Sequence, residues 1–288
     1  MSKVSLQQED KRKEAVLGAI RNIESEIQEK LKGKKKIVIK PDLTSSQKQT
    51  ASTHSDSLKA LLIFLSEHTN SEVTIAGSAK IGSTKKAFNN FGFYNLKKSF
   101  NINFVDLYEE DCEEIEIYSR DLNPVKTSIP KIIMESDFLI SLSGLKTDDS
   151  VIASMGIKNL SGVLVERPLN HDGYKAINLS IANLMEHASP DLSIIDAFEA
   201  IEGEGPINGD IVRIKAALAG LDFLSVDTIG AHLMDFNPYK IGYLSHCRER
   251  NLGEGEISKI SIVGNTDIDK IKRSFRPHSK YEKQLAWE

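Results

Sequence analysis

Cysteine is nearly missing from this 288-residue sequence: Cys112 and Cys247 are the only two, far apart and in no C-x-x-C pattern. Zinc ribbons, iron–sulfur clusters and thioredoxin-like redox pairs need closely spaced cysteines, so those classes are set aside. No apolar run reaches the roughly 18 residues of a membrane-crossing helix. The opening MSKVSLQQEDKRKEA is too polar for a secretory leader. A strong charge of one sign is also lacking. The net charge of -4 argues against a dedicated nucleic-acid binder, which carries a marked basic excess. The glycines fit neither the Walker phosphate loop nor the dinucleotide fingerprint, and there is no G-x-S-x-G nucleophile elbow. These absences leave a cytoplasmic protein with no membrane or nucleic-acid partner.

What is present is ordinary globular material, 40% apolar and 27% charged, enough to bury a large core without metal or disulfide staples. Val16, Ile20, Ile23, Ile27 and Leu31 recur at helical spacing, which predicts an amphipathic helix over 6–31 within an N-terminal unit 1–34. Short apolar runs at 37–39, 73–76, 103–107, 138–142, 192–195, 211–219 and 260–263 read as strands. Helical patterns fall between them, near 58–65, 88–91, 132–133 and 173–187, from Asp222, and after Pro238. Two β-rich runs flank Asp121-Leu122-Asn123-Pro124 and predict a small hairpin excursion over 113–129. The alternation predicts one α/β domain over 35–268, a mostly parallel sheet with helices on both faces. Residues 269–288 read as a polar, loosely held tail.

In open α/β sheets ligands bind beyond the carboxyl ends of the strands, so the polar residues there are the candidates. Lys40 and Asp42 follow the first apolar strand, as an anion-holding lysine and an orienting carboxylate or as a structural pair at a turn. The Lys34-Lys35-Lys36 run before that strand reads more as a solvated strand entrance than as a phosphate contact. Lys146, Asp148 and Asp149 follow 138–142; the lysine suits a ligand, and the two acids suit a cation or a helix cap. Lys158 and Asn159 stand among apolar and small residues, the lysine functional or snorkelling to the surface. His171 comes shortly after, as a proton carrier or a turn residue.

The stretch Asp196 to Gly209 is the most informative. A buried strand emits Asp196, and three glutamates, glycines and a proline follow. Such carboxylates can hold Mg²⁺ or share acid–base work, and a tight turn with solvated acids is the plainer alternative. Asp222 fits a helix N-cap, and Asp227 lies among apolar neighbours, where a carboxylate needs a partner. Ser143 and Ser161 are nucleophile candidates by location only.

Taken in order, Ile39–Asp42, Asp137–Asp148, Lys158–Gly162 with His171, Asp196–Gly209 and Asp222–Asp227 resemble the motifs of the domain-of-unknown-function-362 family. The resemblance covers roughly 35–264. The acidic Gly-Pro loop is its most specific part. It departs at two places: Asp42 stands where relatives have asparagine, and Asp148 where they have histidine. Many relatives carry ferredoxin-type cysteine clusters, and this chain has none, so no iron–sulfur cofactor is implied.

The expected function is a small-molecule enzyme with a pocket for an anionic carboxylate or phosphate substrate. Lys40, Asp42, Lys146 and Asn159 would bind that substrate, and Lys158, His171, Asp196 and Glu202 would do the chemistry. Asp196, Glu202 and Asp227 are the candidate ligands for a divalent cation. Two other readings stay open: a non-catalytic metabolite or cofactor binder, and a partner subunit of a redox complex that supplies a cluster in trans. Nothing in the sequence sets the oligomeric state.

Overall fold

The computed structural model describes residues 1–165 and 173–287. In chain order the strands are β1 Ser2–Gln8, β2 Ile37–Pro41, β3 Val73–Gly77, β4 Ile102–Asp106, β5 Cys112–Tyr118, β6 Pro124–Pro130, β7 Phe138–Thr147, β8 Ala153–Ser154, β9 Leu192–Glu202, β10 Asp210–Gly220 and β11 Ile260–Val263. The helices are α1 Arg12–Arg21, α2 Glu24–Leu31, α3 Ser55–His68, α4 Thr84–Asn90, α5 Lys131–Met134, α6 Gly156–Leu160, α7 Tyr174–Ala188, α8 Phe223–Leu233, α9 Gly242–Glu249, α10 Ile268–Ile271 and α11 Tyr281–Gln284. Among the described residues no helix is long and apolar enough to cross a membrane.

One large sheet has the order β11-β1-β10-β9-β7-β2-β3-β4, with β8 added to β7. The block from β9 through β7, β2 and β3 to β4 is wholly parallel. Such strands are covered on both faces and so read as continuous apolar runs, as 37–39 and 138–142 do. One face packs α1, α2 and α3, whose Val16, Ile20, Ile27, Leu58 and Leu61 are buried with Ile39 and Ile140. The other buries Ile157, Ile181, Ile229 and Tyr243 from α6, α7, α8 and α9. The fold is therefore the expected single α/β domain with a mostly parallel sheet, and β5 and β6 form the hairpin excursion apart from it.

Two segments differ from the sequence expectation. Residues 2–8 are not helical; they pair antiparallel with β10 and parallel with β11. Val4 and Leu6 project to one face and Ser5 to the other, all fully buried, a period-two pattern too short to stand out beside the helical stripe. The stripe itself is divided between α1 and α2 at Asn22-Ile23. At the other end, the tail is held in place. Phe275, His278, Gln284 and Trp287 are buried, Gln284 Nε2 donates to the Asp148 carbonyl at 2.7 Å, and Trp287 Nε1 donates to the Lys240 carbonyl at 2.7 Å. Strands β7 and β9 also run further than their apolar cores, to Thr147 and Glu202.

Candidate functional site

Strands β2, β3 and β7 run parallel and end at one edge of the sheet, so the residues just beyond them come together. They line a cavity of about 220 Å³ with Lys40 near the end of β2, Asp42 and Thr44 after it, Ser78 and Lys80 after β3, and Asp148 and Ser150 after β7. Helix α6 adds Lys158 and Asn159, and Pro206 comes from the loop after β9. Gly162 approaches so closely that a Cβ there would lie 3.2 Å from Lys40 Nζ.

Several polar groups in this wall have definite partners. Lys40 Nζ donates to the Pro41 carbonyl at 2.8 Å, and Asn159 Nδ2 donates to the Lys40 carbonyl and to Ser141 Oγ, both at 3.0 Å. Lys146 lies behind the wall. Its ammonium is hydrogen-bonded and ion-paired to Asp42 and donates to the Ala51 carbonyl at 3.0 Å. Burial opposes ionisation of Asp42, but the charge and hydrogen bond of Lys146, helped by Lys40 and Thr44, outweigh it and hold its pKa below the usual value. Asp148 Oδ1 accepts from the backbone N–H groups of Ser150 at 2.8 Å and Val151 at 3.2 Å. Burial again opposes its ionisation, and Lys158 with these hydrogen bonds keeps its pKa low.

Lys158 is half-buried, and its Nζ donates to the neutral Ser161 Oγ at 3.2 Å. Burial lowers the pKa of this lysine; Asp148 pulls the other way, and the nearby Lys80 charge adds to the lowering. The result is an amine inside a cavity, depressed in basicity, near a carboxylate.

Asp196 belongs to a different place. Its Oδ2 accepts from Ser57 Oγ at 2.6 Å and lies 3.2 Å from Arg12 Nε, and its Oδ1 accepts from Phe198 N at 2.9 Å. Arg12 also bonds Glu199 at 2.8 Å, and together with Lys146 and His54 these groups surround a space of only about 40 Å³. Glu202 Oε2 accepts from Arg276 N at 3.0 Å. Asp227 is fully buried; its two oxygens accept from the N–H groups of Gly156 and Ile157, each at 2.9 Å, and so fix the start of α6. Burial pushes the Asp227 carboxyl up to about 7 against those two hydrogen bonds. Asp196, Glu202 and Asp227 thus have separate partners, and among the described residues no three His, Cys, Asp or Glu side chains are grouped to hold a metal ion. His171 lies outside the described residues. Of the serine candidates, Ser143 Oγ is buried against the Ile194 carbonyl at 3.4 Å, while Ser161 lines the cavity.

The glycines of the acidic loop have a steric cause. A Cβ on Gly205 would lie 2.2 Å from the Thr147 carbonyl oxygen, and one on Gly209 would lie 2.2 Å from that of Glu202. The loop closes on the end of β7, with Thr147 Oγ1 donating to the Gly203 carbonyl at 2.9 Å, and this sets Pro206 in the cavity wall. Sequence reasoning missed Ser78 and Lys80, although they follow the recognisable strand β3 directly, and it missed Ser150 and Ser154. The strand-end rule finds the first pair once it is applied to every strand.

Three comparisons bear on the fold and the lineage. The solved structure of the lactate racemase apoprotein from Thermoanaerobacterium thermosaccharolyticum superposes with a TM-score of 0.52 at 17% identity, over 80% of this chain and 57% of that one. That likeness concerns the fold. The thylakoid-associated protein sll1697 of Synechocystis sp. (strain ATCC 27184 / PCC 6803 / Kazusa) is 28% identical over 174 residues, 57% of this chain, which spans about half (51%) of that relative's length. Residues 37–232, more than half of the chain, match the family described as Domain of unknown function (DUF362), and the chain belongs to that family.

Proposed function

We propose that this protein is a small-molecule enzyme whose substrate is a small anion, a carboxylate or a phosphate, held in the cavity at the carboxyl ends of β2, β3 and β7. The observation that carries this reading is the meeting of Lys40, Lys80 and Lys158 on one cavity of about 220 Å³. Three ammonium groups facing one small space favour an anion there, because their mutual repulsion falls when negative charge enters. Lys158 and Asp148 are the pair for proton transfer: an amine of lowered basicity and a carboxylate beside the same space. Asp148 stands where the family motif has histidine, so the carboxylate takes over that position. Asn159 and Lys40 orient the anion, Asp42 orients the lysines, and Lys146 positions Asp42.

The test is a thermal-shift series with inorganic phosphate, small phosphate esters and small carboxylates, including lactate. A ligand selective for the folded state adds about 2.7 kcal/mol at a hundredfold excess over its Kd. The expected result is a shift with one of these anions that disappears in Lys158→Ala and persists in Asp196→Asn. Equal shifts in both variants, or none with any anion, overturn the reading. Incubation of the binding anion with the protein, followed by product analysis, separates turnover from simple binding.

A further inference from the structure

We propose that Lys158 is a covalent-catalysis lysine and that the anions it acts on are small oxo acids, whose carbonyl carbon it captures as an imine. This rests on the anion-site reading above and names its substrate class. The argument is one of placement. Of the four lysines near the cavity, Lys146 is locked behind the wall by Asp42 and the Ala51 carbonyl. Lys40 is 1% exposed and is held against the Pro41 carbonyl at 2.8 Å. Lys80 is exposed, so its ammonium is solvated. Lys158 alone among them combines a place in the cavity wall, partial burial and a neutral hydrogen-bond partner, the Ser161 hydroxyl. An ammonium held by a hydroxyl gives up its proton at less cost than one held by a carboxylate.

The surroundings suit the step. Lys80 is a second cation beside the same space, and burial together with a neighbouring cation lowers the basicity of an amine. The same ammonium can pair with the carboxylate of the oxo acid. In the reaction the lone pair of neutral Lys158 Nζ forms the N–C bond while the carbonyl π pair moves to oxygen. That oxygen takes one proton from the amine nitrogen and one from solvent or an ammonium neighbour, and leaves as water. A protonated imine remains, with no change of oxidation state. The groups facing Lys158 are Asp148, Asp149, Lys80 and Asp42, and the carboxylates among them stabilise the iminium charge.

The experiment is reductive trapping. The full chain is incubated with pyruvate, oxaloacetate or 2-oxoglutarate and treated with borohydride, and the modified peptides are mapped by mass spectrometry. Hydride converts the imine to a stable secondary amine and adds the mass of the acid less one oxygen atom. The expected result is one adduct, on Lys158, formed in clear excess over exposed lysines such as Lys11 and Lys32. The adduct is absent in Lys158→Ala and in Lys158→Arg, and the arginine variant still binds the carbonyl-free acids lactate and succinate. Adducts spread evenly over surface lysines overturn the proposal. If carbonyl-free acids raise the melting temperature and no Lys158 adduct forms, the anion site stands and the imine falls. If neither happens, both fall.

Discussion

Two clusters of charged residues sit at strand ends of the same sheet, and they do opposite things. Around Asp196, the Arg12 guanidinium, Ser57 hydroxyl and Phe198 N–H occupy both carboxylate oxygens, and the residual space is about 40 Å³. Around Lys158, the lysines, Asp148 and the hydroxyls face a space of about 220 Å³. In the sequence the Asp196 stretch is the more informative of the two, a strand-end carboxylate followed by an acidic loop, while Lys158 stands among apolar and small residues. A strand-end charge is a functional candidate when its partners leave it facing a cavity, and a structural one when they enclose it. Arg12 makes the difference: α1 sets it against β9, with its guanidinium also over the Phe198 ring at 5.2 Å.

That contrast can be broken or sharpened by substitution. The largest effect is expected at Asp196→Ala, which leaves the largely buried Arg12 with Glu199 as its remaining carboxylate partner and empties the side-chain position that Ser57 bonds. Losing one partner of a buried pair costs up to about 3–5 kcal/mol when no other partner remains, and the retained Glu199 bond keeps this loss at or below that range, read by urea unfolding, with anion binding in the main cavity unchanged. If Asp196→Ala instead keeps its stability and loses anion binding, the two clusters have been assigned the wrong way round.

Asp227 gives the next effect, through pH. Burial raises its carboxyl to about 7 in the folded chain against the usual 3.8 of an aspartate, so the folded state holds a proton that the unfolded chain releases between these values. The stability this group contributes is therefore complete below pH 3.8, declines as pH rises toward 7, and is level above it. The difference in unfolding free energy between wild type and Asp227→Asn should change by several kcal/mol across that window. A difference that stays constant with pH means that the two N–H bonds keep Asp227 ionised throughout.

Gly205→Ala should cost about 1–3 kcal/mol, the usual range for overpacking, because its Cβ has no room beside the Thr147 carbonyl. By moving Pro206 it should also weaken anion binding, which no variant of the Asp196 cluster should do. Lys158→Ala should change stability less than these variants, because Asp148 keeps its hydrogen bonds from Ser150 and Val151, while abolishing the anion-induced thermal shift. A large loss of stability in Lys158→Ala would place this lysine among the structural charges.

Much of the fold was legible because parallel strands buried on both faces must be apolar throughout, as Val38 and Leu139 are, and because helices facing them repeat near every third or fourth residue. What was not legible depended on distant partners. Val4 and Leu6 became strand residues because β10 and β11 lie on either side of them. Phe275 and Trp287, sparse among polar residues, became buried because α8 and α9 offered places for them. Lys40, Asp42, Lys158 and Asn159 were readable from strand-end position and motif, and they do meet. Asp196 was readable as a strand-end carboxylate, but its partner Arg12 lies far away in sequence and local pattern carries no sign of it.

The position of β1 has a consequence for how the chain is made. Its sheet neighbours are β10 and β11, with Ser5 opposite Ala219 and Ser2 opposite Ile260, so this strand is synthesised well before the strands it pairs with. At ordinary rates of synthesis that interval is roughly ten to fifty seconds. Throughout it, the paired edges of Ser2–Gln8 stay open to any passing strand. The alternating serine, lysine and glutamine of SKVSLQQ thus serve a nascent chain as well as a finished one, keeping an unpaired strand soluble until its neighbours arrive.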